Sequence, residues 1–260
     1  MTRLIDRTIA ALLYAFLLAP LVFVLIVSVN GGSVPSFPPR DLSLRWYGEA
    51  LHSRAFMDGL VTSLWLALAA SAIATPIGTM AAFGIARGRF AGKAFLEALF
   101  LSPLIVPGIV IGIAALVWLA ALDIREAWFR LVLGHALIVL PYSVRTVLAS
   151  LARFDASLEE AALVFGASRR QVLLHVTLPL LRQSIAAGAI FAFILSFDDV
   201  SVSLFLTDAH TSTLPMAIMS YMQYNFDPSI AAISAMIILA TMGGALAIER
   251  LYGLKRFLGS

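Results

Sequence analysis

Two adjacent carboxylates, Asp198 and Asp199, stand at the end of a run from Ile185 to Phe197 that holds no charge. Counted at about 1.5 Å per residue from a helix start near Gln183, Asp198 lies roughly 22 Å along, short of the about 30 Å of a hydrocarbon core. An ionisable residue at such depth is costly and faces a watery cavity or a partner, which makes a solute path one reading of the pair. The other reading ends the helix here and leaves both carboxylates capping an interfacial turn. If they line a path, a cationic solute is favoured.

No other group of residues has the spacing of an active site. His52, His135, His175 and His210 are scattered, none pairs with another at i, i+4, and no His/Asp/Glu cluster has metal-ligand spacing, so each is expected to be a packed or interfacial residue. A Gly-x-Ser-x-Gly elbow and an intramembrane His-Glu-x-x-His are absent. The basic turn from Arg87 to Lys93 ends in Gly-Lys-Ala, without the spacer and the Ser/Thr with which a Walker loop cradles phosphate and magnesium. Any ATP is therefore expected to be handled by a partner. There are no cysteines, so disulfides and thiolate metal sites are excluded. Nucleic acid would need a basic patch interleaved with aromatic residues, and none is present. Neither a catalytic residue nor a cofactor nor a metal is expected.

The elements that position the acids are apolar. The chain has 260 residues, 61% hydrophobic and 13% charged, with mean hydropathy +0.95; soluble domains average about 45–50% apolar and 25% charged. A polytopic membrane protein follows. The uncharged runs predict six spans, at about residues 9–29, 60–86, 96–121, 129–150, 183–206 and 228–249, in a single all-α domain over 1–260. The first is too long for the core of a signal peptide and lacks a small-x-small cleavage site, so it reads as retained. Pro76 and Gly78 predict a kink in the second, and Gly108 and Gly112 in the third predict close helix packing. Trp46 and Tyr47, in a polar loop, suit a membrane–water boundary. The fourth run is the weakest, with His135 and Pro141 inside it and Arg145 placed to snorkel.

Between the fourth and fifth spans, about residues 151–182, lies a polar, amphipathic interruption. Ser157 with Glu160, and Ser168 with Gln171, fit the capping-box pattern at two helix starts. Gly166 is placed to end the first helix in a left-handed turn, and Pro179 to stop the second. Leu158, Ala161, Ala162 and Phe165 give the first helix an apolar face that needs something to sit against. With six spans, Arg3, Arg7, Arg87, Arg89, Lys93, Arg145, Arg153, Arg169, Arg170, Arg182, Arg250, Lys255 and Arg256 fall on one side; only Arg40, Arg45, Arg54, Arg125 and Arg130 fall on the other. The positive-inside rule then makes this loop and both termini cytoplasmic.

Glu160-Ala161-Ala162, Gly166, Val176 and Leu178-Pro179 resemble, at the family spacing, the "EAA" loop of permease subunits of ATP-binding-cassette importers, with Val176 where isoleucine is commoner. The run Ala192 to Ser201 and Thr213-Leu-Pro215 resemble the second permease of spermidine/putrescine-type systems and their relatives for opines. The resemblance covers most of the chain, from the first span to about Glu249. It implies a type I importer bundle in the bacterial inner membrane, two cytoplasmic ATPase subunits, a second permease (a paralogue or a second copy) and an extracytoplasmic solute-binding protein. Carried onto this chain, Glu160, Ala161, Ala162 and Gly166, with Leu178 and Pro179 closing the motif, form the coupling helix that docks on an ATPase, where Glu160 would meet a basic residue. The implied solute is a polyamine or a similar small cation, and relatives for ferric iron, phosphonates or opines share the architecture. A stand-alone ion-coupled carrier is the reading from another class; it predicts an internal repeat, which is not evident, and leaves the polar loop unexplained.

Overall fold

The computed structural model describes residues 2–39 and 41–252; Arg40, Lys255 and Arg256, counted above in the charge balance, lie outside the described residues. The elements are helices: α1 (Thr2–Ser28), α2 (Arg45–His52), α3 (Arg54–Arg87), α4 (Lys93–Leu101), α5 (Gly108–Ala121), α6 (Ala127–Leu151), α7 (Ser157–Val164), α8 (Arg169–Val172), α9 (Leu178–Asp198), α10 (Ser203–Leu206), α11 (Leu214–Tyr224) and α12 (Ser229–Tyr252). Among the described residues there is no strand, only an isolated antiparallel bridge between Asn30 and Leu42.

Four helical stretches are long and apolar enough to cross a membrane: Asp6–Ser28, Arg54–Arg87, Ala127–Leu151 and Arg169–Asp198. The third expected span, 96–121, is broken instead, with Lys93–Leu104 and Gly108–Ala121 meeting at 105°. Pro103 and Pro107 flank the break. Proline lacks the N–H that a continuing helix needs and pushes the residue before it out of the helical region. In the region expected at 228–249, the apolar part of α12 is Ser229–Gly244.

The fifth span differs most from expectation. The uncharged run predicts it over 183–206, after a separate bracket helix stopped by Pro179. It begins instead at Arg169 and runs on to Asp198, so the second bracket helix and the span are one element. The stretch Leu173–Thr177 is a π-turn, and Pro179 follows it at the start of α9. A π-turn inserts one residue into the ladder where proline would strip a bond and crowd a carbonyl, so the helix passes the proline without ending. In α3, likewise, the helix is unbroken through Pro76.

The chain divides into two compact units. One comprises residues 58–217, the other the described residues before 58 and after 217. In the first, α6 packs along α9 and also meets α4, α5 and α10. This explains its weak hydropathy: half of its apolar stretch is buried, against none for α1, so side chains such as His135 and Ser143 meet protein rather than lipid. Its contacts are made by small residues. Ala70, Ala74, Val139 and Ala192 form one buried cluster, and Ser143 lies between Gly78 and Gly188, where an added Cβ would come within 2.7 Å of its Cβ and 3.2 Å of its Cα. Such close approach is the main source of helix association where lipid removes the hydrophobic drive. Gly108 and Gly112 pack as expected: a Cβ on either would sit 2.8 Å from Ser201 or Phe205.

In the other unit α12 packs on α1 and α2. The buried Asn30 organises the turn after α1, donating to the Ser36 hydroxyl at 2.8 Å and accepting the Gly32 N–H at 3.0 Å. Trp46, expected at a boundary, is buried and donates its indole N–H to the Gly32 carbonyl at 3.1 Å. Its one polar atom is thereby satisfied inside protein, as burial demands.

Candidate functional site

The bracket between α6 and α9 is built much as the residue types require, with one exchange of roles. Gly166 adopts φ +89°, a left-handed position that side chains avoid, and ends the turn after α7. Ser168 and Gln171 form the full capping box at the start of α8. Ser157 and Glu160 do not. Asp155 takes the capping role, accepting the Ser157 N–H at 3.0 Å; the Ser157 hydroxyl and that N–H hold the Asp155 carboxyl below its ordinary value. Asp155 fits because its short carboxylate reaches the donor two residues ahead, as in an Asx-turn.

Glu160 is therefore exposed and caps nothing. Ala161 is exposed and Ala162 half-buried beside it. Beyond them, Val164 and Phe165, the last residue of α7 and the one that follows it, are 85% and 91% exposed, at the end of a short bracket helix rather than within an apolar span. Leu178 is half-buried and Pro179 exposed at the start of α9. Thus the bracket presents one carboxylate, two alanines and a large apolar tip together.

Sequence reasoning passed over Glu159. Its carboxylate takes the Arg87 guanidinium at 2.7 Å and the hydroxyl of Thr177. The capping pattern selected Glu160 for its spacing from Ser157, and nothing local distinguished its neighbour; the partner Arg87 is 72 residues away.

Asp198 and Asp199 part company. Asp198 closes α9 and is exposed, on the face that carries the exposed Ile190 and Ile194. Among the described residues it makes no ion pair. Asp199 leaves the helix with extended backbone, and its carboxylate accepts the N–H groups of Val202 and Ser203, each at 3.0 Å, capping α10. The two carboxylates thus differ in surroundings, Asp199 being held by backbone N–H groups and Asp198 being exposed.

Behind Asp199 sits His135, fully buried on α6. Its Nδ1 is 2.9 Å from the Ser196 hydroxyl and its Nε2 is 3.0 Å from the Ser203 hydroxyl. Ser203 already donates to the Asp199 carbonyl at 3.0 Å, so it accepts from Nε2–H, and Ser196 donates to Nδ1. Nε2 also lies 3.8 Å from the Asp199 carboxylate. His135 is thus a packed histidine whose two ring nitrogens tie α6 to α9 and to α10. Replacing it with Leu strands the Ser196 hydroxyl and removes one Ser203 bond, a loss of about 1–3 kcal/mol. A lower melting temperature of the detergent-solubilised His135→Leu protein is expected; one equal to wild type would show that the ring bonds contribute nothing.

Comparison with known proteins gives this geometry a context. Residues 74–254 match the model of the family described as "Binding-protein-dependent transport system inner membrane component". The chain is 30% identical over 240 residues to the spermidine/putrescine transport system permease protein PotC of Escherichia coli (strain K12), covering 92% of this chain and 90% of that protein. It is 31% identical over 232 residues to the putrescine transport system permease protein PotI of the same organism, covering 86% and 82%. In fold it is similar to a chain of the bacterial alginate ABC transporter solved in complex with an alginate pentasaccharide-bound periplasmic protein, with TM-score 0.71 at 16% identity over 96% of this chain and 94% of that one. With most of its helical core inside the family's bounds, and with relatives aligned nearly end to end, this chain belongs to the inner membrane components of binding-protein-dependent transport systems.

Proposed function

We propose that the chain is a permease subunit of an ATP-binding-cassette importer that carries a polyamine or a similar small cation, and that its bracket docks on a separate ATPase. The observation that carries this reading is the bracket itself: an exposed Glu160 that takes no part in a cap, beside Val164 and Phe165, both almost wholly uncovered, in a chain that belongs to a transport family. Large apolar side chains exposed in a polar loop mark an interaction site. Glu160, Ala161, Ala162 and Gly166 form the docking element, with Leu178 and Pro179 joining it to α9. ATP-driven closure of two ATPase subunits moves the bracket, and the helices it joins shift the path between inward- and outward-facing states; the ATPase supplies the differential free energy such a shift requires.

The solute class is supported by the relatives PotC and PotI, named for spermidine and putrescine, and by Asp198, the exposed acid at the end of α9. A second permease encloses the other half of the path, and an extracytoplasmic binding protein delivers the solute. The whole of 1–260 acts as one transmembrane domain, with the bracket and both termini on the cytoplasmic side, in agreement with the distribution of Lys and Arg. Reconstituted with its ATPase, partner permease and binding protein, the chain should accumulate labelled putrescine only when ATP is supplied, and a cysteine placed at Arg169 in this cysteine-free chain should react only from the ATPase side. Uptake by the chain alone, or labelling of position 169 from the binding-protein side, would sink the proposal.

A further inference from the structure

The bracket is continuous in sequence with α6 and α9, and on chain connectivity alone its movement would reach only those two helices. The structure adds a third connection. Arg87, the last residue of α3, places its guanidinium 2.7 Å from the Glu159 carboxylate on α7, and the same carboxylate oxygen accepts the hydroxyl of Thr177 in the π-turn. We infer that Glu159 is a positioning residue that ties the ATPase-facing bracket to the end of α3, so that displacement of the bracket is delivered to that helix as well. This rests on the permease reading above.

An ion pair on a surface is worth little, because water screens it and two long side chains must be held still. Three features separate this one from that case. The Glu159 side chain is only 16% exposed, although that of Arg87 is 40% exposed, so the pair is shielded at its carboxylate end. Thr177, which shares its oxygen, is fully buried and held by the π-turn, a local irregularity that often occurs at functional positions. The Arg87 guanidinium, finally, lies over two rings, 5.3 Å from the centroid of Phe83 and 5.6 Å from that of Phe154. Phe83 belongs to α3, whereas Phe154 lies in the turn that leads from α6 into the bracket. One arginine thus touches both ends of the connection, and one carboxylate joins α3, α7 and the π-turn that leads into α9. The arrangement is compact and directional, because the charged fork of arginine holds its orientation better than an ammonium would.

Glu160 and Glu159 then divide the work. The first faces outward for a partner, and the second faces inward and passes on what the partner does.

The test uses the full reconstituted importer and reads the number of ATP molecules hydrolysed per putrescine imported, a ratio that a general loss of stability or yield does not change. Glu159→Gln and Arg87→Gln should each raise that ratio about fivefold or more, the lower end of ordinary site-to-site coupling. The double variant should be no worse than either single one to within about twofold, because both remove the same tie. Arg89→Gln, in the same basic turn but outside the tie, should keep the wild-type ratio. A wild-type ratio in Glu159→Gln, or losses that multiply in the double variant, would overturn the inference. Should Glu159→Gln fail to assemble, Arg87→Lys replaces it: an intermediate ratio supports the tie and an unchanged one refutes it. Failure of the underlying permease reading looks different, since the wild-type complex would then import no putrescine with ATP.

Discussion

Reversing the charge at Glu160 is expected to cut ATP-driven uptake at least about tenfold while the permease still folds, inserts and is recovered in normal amount. The separation of the two effects follows from the geometry. Glu160 is exposed and accepts no hydrogen bond at the cap of α7, so Glu160→Arg breaks no cap within the chain. Placed against a basic groove, however, an arginine turns attraction into repulsion, and the ATPase should no longer copurify. Gly166→Val tests the same element by another route. Nothing lies within 4 Å of a Cβ built at Gly166, so the variant meets no clash, but a β-branched residue at φ +89° costs at least about 1–2 kcal/mol. Relief of that strain rotates α7 relative to α8 and misplaces the docking surface. If both variants transport at the wild-type rate, the bracket is not the coupling element.

The second large effect concerns the paired acids, and it is a difference between them. Asp198→Asn should raise the KM for putrescine about tenfold or more, the loss expected when a charged contact worth roughly 1.5–3 kcal/mol becomes a neutral one. Asp199→Asn should change it less than about twofold, because Asp199 spends its carboxylate on the N–H groups of Val202 and Ser203, and the amide oxygen of asparagine can accept in its place. Putrescine uptake as a function of concentration, normalised to assembled complex, distinguishes the two. Equal shifts in both variants would mean that Asp198 has no separate role. No shift in either would remove the charge-based argument for a cationic solute, leaving the choice of solute to the binding protein. The fold itself does not select a cation: the alginate transporter that resembles it is involved in the import of an acidic polysaccharide.

The π-turn and the break in the third apolar run have a common cause in proline, met in two different ways. At Pro103 and Pro107 the chain turns through 105° and starts a new helix, whereas before Pro179 it inserts a residue and goes on. Both are predictable as disturbances from the residue type. Which of them occurs depends on whether packing on the two sides favours a straight course.

How much of this was legible in the residues alone follows from the range over which each interaction acts. The helical class, the apolar segments, the capping box at Ser168, the left-handed Gly166 and the exposed apolar character of the bracket were all readable, because each is determined within about a turn of helix by backbone sterics, local hydrogen bonding or hydropathy. The motif from Glu160 to Pro179 was readable for the same reason. Tertiary structure alone decided which carboxylate faces what. Neighbouring acids are alike in composition, yet Glu159 is drawn inward by Arg87 from 72 residues away and Asp199 is claimed by the start of α10 beside a histidine 64 positions earlier in sequence. That leaves Glu160 and Asp198 outward. Partner choice across such distances depends on how helices are stacked and rotated, which is fixed by small residues such as Gly78, Ser143 and Gly188 meeting closely, and no local pattern encodes it.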